Sequence, residues 1–282
     1  MYIQSMFSYI KERQSTSQYK QLLKPLCALN LRRTSKFNLM AIYGAINTLN
    51  RLSYGKELSI YIASEYGCVE DLFEVLRQIK EEESILMPFD FLNVNTNNTG
   101  FFIAQALDTN GNNINVSSEN FSFEKAFELA YFNFQTQNKN EILIGAVDES
   151  VEEIPNHNSI INNLENATSK DGSSWLYINN KKENSIAKVK SFNFFTNLKE
   201  LNQYLKEIAY GKIGLNQYAR KYQSELEIDK DLILKNEDNF YGTYSASDII
   251  DLLNQQNKLS IYISLDSKKR AYLFWFEESD TL

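Results

Sequence analysis

The chain has little of several residue types that mark well-known functional classes. Two cysteines, Cys27 and Cys68, are too few for a disulfide framework or a cysteine-rich zinc site. A single histidine, His157, excludes His-rich metal sites and any mechanism built on two imidazoles. Three prolines and ten glycines in 282 residues are sparse for a turn-dense all-β protein. Basic residues do not cluster. With 29 Lys and Arg against 36 Asp and Glu, the net charge is −7, a poor balance for neutralising nucleic-acid phosphates. No apolar run approaches the ~18 residues that a membrane-spanning helix needs. The first residues, Met1–Phe7, are weakly apolar and lead into Lys11-Glu12-Arg13 without the hydrophobic core of a signal peptide. The expected compartment is therefore the cytoplasm, with reduced thiols and no membrane span.

What is present reads as an α/β protein. Leu39, Ile42, Tyr43, Ile46 and Leu49 recur every three or four residues and predict a helix over 34–52, with Thr34 or Ser35 as its cap. Leu58–Ser64 reads as a buried strand, and Gly67 turns the chain into an amphipathic helix over 69–80 with Leu72, Val75, Leu76 and Ile79 inward. Pro88–Phe91 reads as a bend, followed by a short apolar helix over 100–107 and a strand at Ile114–Ser117. A third helix is expected over 121–134 and a buried strand at Glu141–Gly145, ending in Asp148 and Glu149. An acidic loop with a short helix is expected over 150–170. Ser173–Ile178 and Ala187–Phe192 suggest a hairpin. Helices over 198–209 and 246–253 and two closing strands, Leu259–Ile263 and Ala271–Phe276, complete the pattern. Residues 213–227 fit more than one reading.

No catalytic constellation emerges from residue chemistry alone. Asp108-x-Asn110-x-Asn112 with Glu119 has calcium-loop spacing, but its glycine sits at loop position four, not six, and a strand follows. Asp148 and Glu149 at a strand end could serve acid–base chemistry, although such acids more often cap a turn. Cys27 reads as a small core residue. Cys68 opens a helix with no candidate base beside it. His157 lies in a polar Asn-rich segment, in a chain where asparagine is common at 32 residues.

The order of segments resembles the β-ketoacyl synthases of the thiolase-like fold. Leu58–Gly67 with its following helix, the Pro88–Gly100 segment, the strand at 111–118, the aliphatic-Gly-acid strand Glu141–Glu149 and Asp171–Ile178 carry the likeness, which covers residues 30–178. Asn239–Ala246 and the last two strands are similar to a much shortened second half. The resemblance implies a layered αβαβα architecture with two stacked sheets. Residues 1–178 would form the N-terminal half, and residues 179–282 a reduced C-terminal half of the same domain.

Counting back from Gly145 by the family's spacing places the nucleophile turn at Asn120, flanked by Glu119 and Ser122. The family's cysteine is absent there, and its two histidines have no counterpart. An amide cannot accept an acyl group as a thiolate does. The chain is thus most similar to the catalytically silent, chain-length-factor-type subunits. Those of aryl polyene, flexirubin and dialkylresorcinol pathways share a start like Arg32-Arg33-Thr34-Ser35.

The likeness implies a heterodimer with an active β-ketoacyl synthase, served by an acyl carrier protein through the complex, with no cofactor or metal. Phe101, Phe102, Ile103, Ile114 and Val116 are the expected interface and tunnel residues, with the 114–117 strand pairing antiparallel to its counterpart. Two alternatives stand beside this reading. One is residual malonyl-thioester decarboxylation, with an amide holding the carbonyl; the other is a homodimeric binding or structural module of the same fold.

Overall fold

The computed structural model describes residues 1–136, 140–155, 157, 168–235, 240–241 and 244–279. Strand β1 (Tyr2–Lys11) leads to α1 (Thr16–Leu23), whose start is fixed by a reciprocal Ser15–Gln18 capping box. Helix α2 (Lys36–Thr48) is capped by the Ser35 side chain. Then follow β2 (Ser59–Ala63), α3 (Val69–Lys80), α4 (Pro88–Asn93), α5 (Asn97–Leu107), β3 (Asn113–Val116), a 3₁₀ turn (Glu119–Phe121) and α6 (Ser122–Thr136). Strand β4 (Glu141–Asp148), the short β5 (Thr168–Ser169), β6 (Asp171–Asn179) and β7 (Ala187–Phe195) come next. The last part holds α7 (Leu198–Leu205), β8 (Lys212–Leu215), α8 (Gln217–Lys221), β9 (Phe240–Tyr241), α9 (Tyr244–Asn254), β10 (Leu259–Leu265) and β11 (Ala271–Glu278).

Nine strands form one sheet in the order β3-β2-β4-β6-β1-β7-β11-β10-β8. The two stacked sheets expected from the sequence are therefore joined. The junction is narrow: β1 meets β7 only at Tyr2↔Lys188 and Ile3↔Ala187. Five strands on one side of it come from residues 2–179, and four on the other from residues 187–278.

Three hydrophobic clusters define the layers. Outside the first half, α1, α2 and α5 pack on β2, β4 and β6 through Phe37, Ile42, Ile103 and Trp175. Between the halves, α6 and α9 are buried against strands from both, through Phe127, Ile144, Ile249 and Phe274. Outside the second half, α7 and α8 cover β8, β10 and β11 through Leu201, Ala219 and Ile263. The result is αβαβα. Strand β6 is buried at all nine positions because helices lie on both of its faces, which is why it lacks the alternation of a half-exposed strand.

The structure corrects three expectations and resolves one open reading. The segments read as a hairpin, β6 and β7, do not pair; β1 lies between them, antiparallel to β6 along most of its length. Its sequence, YIQSMFSYIK, alternates weakly and stays half-exposed, so it gave little strand signal. Pro88 opens a helical turn rather than a bend, at a position where its missing N–H costs nothing. The segment 213–227 resolves into β8, α8 and a 3₁₀ turn. Finally, α3 has the expected bounds, yet Leu72, Leu76 and Ile79 are exposed and only Val75 is buried. Part of the loop and short helix expected over 150–170 lies outside the described residues.

Trp175 is the anchor of the first half. It is fully buried, and its Nε1 donates to Ser173 Oγ at 2.8 Å. A Cβ on Gly145 would meet the Trp175 ring at 2.0 Å, and the ring has no room to yield. Gly145→Ala is expected to cost about 1–3 kcal/mol through overpacking, read as a lowered urea midpoint at unchanged m-value.

Candidate functional site

The turn from β3 into α6 is where the sequence points. Ser122 Oγ accepts from the Ser118 N–H and donates to the Glu119 carbonyl, both at 3.0 Å, closing the turn on itself. Phe121 is buried edge-on against Tyr272, with centroids 5.0 Å apart at 90°, and so anchors the start of α6 in the central layer. These contacts hold Glu119 at φ +43°, a left-handed conformation that a non-glycine residue adopts at a cost. The strained residue of the strand-to-helix elbow is thus Glu119, one position before Asn120. Among candidate nucleophile positions, such an elbow is a recognisable feature.

Asn120 is half-buried and hydrogen-bonded to Tyr218. It separates two spaces. On one side is an open cleft of about 690 Å³ lined by Glu65, Tyr66, Ser117, Ser118, Glu119, Tyr218, Lys221, Tyr222 and Ser267. On the other is a cavity of about 10 Å³ between Ser122, Glu124, Asp148 and Ser245. The cleft offers carboxylates, hydroxyls, phenols and one ammonium. It holds no thiol and no imidazole.

The remaining candidate groups have structural work. Burial pushes the Cys68 thiol up, and the Glu149 and Asp71 carboxylates add to the shift, so the thiolate is disfavoured. His157 Nδ1 lies 3.2 Å from the Ile154 carbonyl. Asp108 pairs with Lys56 and the next turn leads straight into β3, so the calcium-like spacing belongs to a strand connection. Gly111 is needed there because a Cβ would meet the Leu58 carbonyl oxygen at 2.1 Å. Asp148 Oδ1 accepts from Ser64 Oγ at 2.6 Å and from the Glu65 and Tyr66 amides at 3.0 and 3.1 Å, ordering the turn after β2. Glu149 accepts the Glu70 amide at the start of α3. Among the described residues, no group of three or more His, Cys, Asp or Glu side chains could hold a metal ion, and no helix is long and apolar enough to cross a membrane.

Sequence reasoning missed a charged cluster beside α2. Lys36 is buried, pairs with Glu70 and lies 2.9 Å from Asp171 Oδ1. Burial opposes its charge, but the facing Glu149, Asp171 and Glu70 outweigh that, and its pKa is raised. These residues lie far apart in the chain, and nothing in their local pattern brings them together.

The expected interface residues divide by burial. Phe101 is 58% exposed, Phe102 packs partly on the outer core, and Ile103 is fully buried in it, which removes Ile103 from any surface. Ile114 and Val116 are half-buried against the central layer. Strand β3 is the outermost strand of the sheet. Ile60 N–H donates to the Asn112 carbonyl at 2.7 Å and Ser64 N–H to the Val116 carbonyl at 3.1 Å. In a parallel ladder this points residues 112, 114 and 116 at β2, and leaves the N–H and C=O of Asn113 and Asn115 facing outward. Helix α5 packs beside this strand on one face of the sheet and α6 on the other. Both carry exposed apolar side chains: Phe101 on α5, and Leu129 and Phe132 on α6. Leu72, Phe73, Leu76, Met87, Phe89 and Phe91 on and around α3 and α4 are exposed too, Leu72 and Leu76 against the inward placing expected of them.

No protein-family model and no curated protein sequence matches the chain. Solved structures do. The chain is similar to the ishigamide ketosynthase/chain length factor at TM-score 0.76 and 10% identity, over 98% of this chain and 99% of that one. It is similar to the PfaC keto synthase–chain length factor at 0.67 and 16%, over 99% of this chain and 43% of that one. A ketosynthase, ApeO, in complex with its chain length factor, ApeC, from Xenorhabdus doucetiae matches at 0.59 and 13%, over 98% of each chain. At these identities the likeness is one of fold. The chain has the thiolase-like fold of the ketosynthases.

Proposed function

We propose that this chain is the non-catalytic, chain-length-factor-like member of a ketosynthase pair. It docks through the β3 edge against an active β-ketoacyl synthase and shapes that partner's acyl tunnel, in fatty-acid or polyketide-type synthesis of the aryl polyene kind. Residues 1–178 and 179–282 are the full and the reduced halves of one domain. An acyl carrier protein reaches it through the complex.

The observation that carries this reading is the elbow. A strained strand-to-helix turn, with Glu119 in the left-handed conformation directly before Asn120, the position expected for the absent nucleophile, supports the reading. A carboxylate at Glu119 is acceptor-only when ionised and attacks a thioester poorly compared with a thiolate. The surface supports the pairing. An unpaired strand edge with exposed aromatic and aliphatic side chains on both flanking helix layers fits a partner built of the same layers. A decarboxylase reading is disfavoured by charge: Glu65 and Glu119 face the cleft against the single ammonium of Lys221, which opposes entry of an anionic malonyl group.

Restoring the thiol tests the reading. Asn120→Cys, assayed alone with acyl and malonyl carrier proteins, is expected to elongate nothing, because the two imidazoles remain missing. Elongation by this variant or by the unaltered chain contradicts the proposal.

A further inference from the structure

The cavity behind Asn120 is small and polar. It lies where the ends of β2 and β4 meet the first turns of both central helices, and its polar lining is Ser64, Glu65, Asn120, Ser122, Glu124, Asp148 and Ser245. Glu124 is 1% exposed. Its Oε1 accepts from Ser245 Oγ at 2.7 Å, while Oε2 has no hydrogen-bond partner. Ionised, that oxygen lacks a donor; protonated, its O–H lacks an acceptor. Either form leaves a buried polar atom unsatisfied, which is costly, so the protein alone does not complete the site. Asp148 is equally buried, and the three hydrogen bonds it accepts all end on Oδ1. Neither carboxylate forms an ion pair with a Lys, Arg or His side chain among the described residues, although buried carboxylates are ordinarily paired.

A space of about 10 Å³ admits one atom-sized occupant. Water would supply hydrogen bonds but no charge to offset two carboxylates. A small cation supplies both a partner for Glu124 Oε2 and the missing positive charge. Glu124 Oε1 and Asp148 Oδ1 already accept hydrogen bonds, which leaves one oxygen of each carboxylate and three hydroxyls, short of the six to eight oxygens of a calcium cage and of magnesium's octahedron. We propose that this cavity binds one small monovalent cation, sodium in size, between the carboxylates of Glu124 and Asp148 and the hydroxyls of Ser64, Ser122 and Ser245. The ion ties α6 to α9 and to the ends of β2 and β4, directly beneath the elbow that holds Glu119. This site is independent of the functional reading above.

The full chain, exchanged at equal ionic strength into sodium chloride or choline chloride, is expected to melt about 3 °C higher in sodium. Glu124→Gln and Asp148→Asn should each remove that difference. Equal melting temperatures in the two salts, or an undiminished sodium effect in both variants, overturn the proposal. Should the variants fail to fold, crystals of the unaltered chain soaked in thallium(I) decide it by anomalous scattering. A peak between Glu124 and Asp148 supports the site, and an empty anomalous map there refutes it.

Discussion

Asn115→Pro is expected to weaken association with the synthase subunit about 100-fold while leaving this chain folded. The N–H of Asn115 points away from β2, so proline removes no bond of the internal ladder. An edge strand tolerates it for that reason. Toward a partner strand the same change deletes a donor and inserts a ring, which together cost roughly 3 kcal/mol, or about 100-fold in affinity. Calorimetric titration against the purified synthase measures the loss, and circular dichroism with a thermal melt checks the fold. Unchanged affinity would move the interface away from β3. The neighbouring Ile114→Pro serves as contrast: its N–H faces β2, so it should unfold the edge and lower thermal stability as well.

A second large effect is expected from pH. Burial pushes the Glu149 carboxyl up to about 8 against the pull of Lys36, and burial with the neighbouring Glu70 pushes Asp71 up to about 6. Both folded-state values lie above the unfolded ones near 4. Between the two, the native state holds more protons than the unfolded chain, so stability falls as pH rises. The contribution is complete below about pH 4 and is lost through pH 6 for Asp71 and pH 8 for Glu149. Each group sets a slope of at most about 1.4 kcal/mol per pH unit. Glu149 Oε1 has no hydrogen-bond partner, and Lys36 with the Glu70 amide offsets only part of the cost of burying its charge. Glu149→Gln should therefore raise the urea midpoint at pH 8.5 and change it little at pH 5. A variant that is less stable at the higher pH would show that Lys36 needs this carboxylate ionised.

The sequence made some elements plain and hid others for physical reasons. Helix α3 was legible to the residue because periodicity reports an apolar face, but periodicity does not say what covers that face. In the folded chain Leu72, Leu76 and Ile79 of that face stay exposed and only Val75 is buried. Strand β1 was invisible because a half-exposed strand among polar residues carries neither clean alternation nor a buried run. The family resemblance pointed to Asn120, and a left-handed residue lies directly before it. That the left-handed residue is Glu119 could not be read, since no glycine marks it and the strain comes from the Ser118–Ser122 staple and the Phe121 anchor. Nothing in the sequence singled out Glu124, and it is the central position of α6 between two sheet halves that buries it.

Co-expression with an active β-ketoacyl synthase, followed by light scattering on the eluted complex, tests the central claim most directly. The account predicts a single one-to-one heterodimer, with carbon–carbon bond formation only when both chains are present. A chain that stays monomeric or pairs only with itself, or that condenses acyl thioesters unaided, contradicts it.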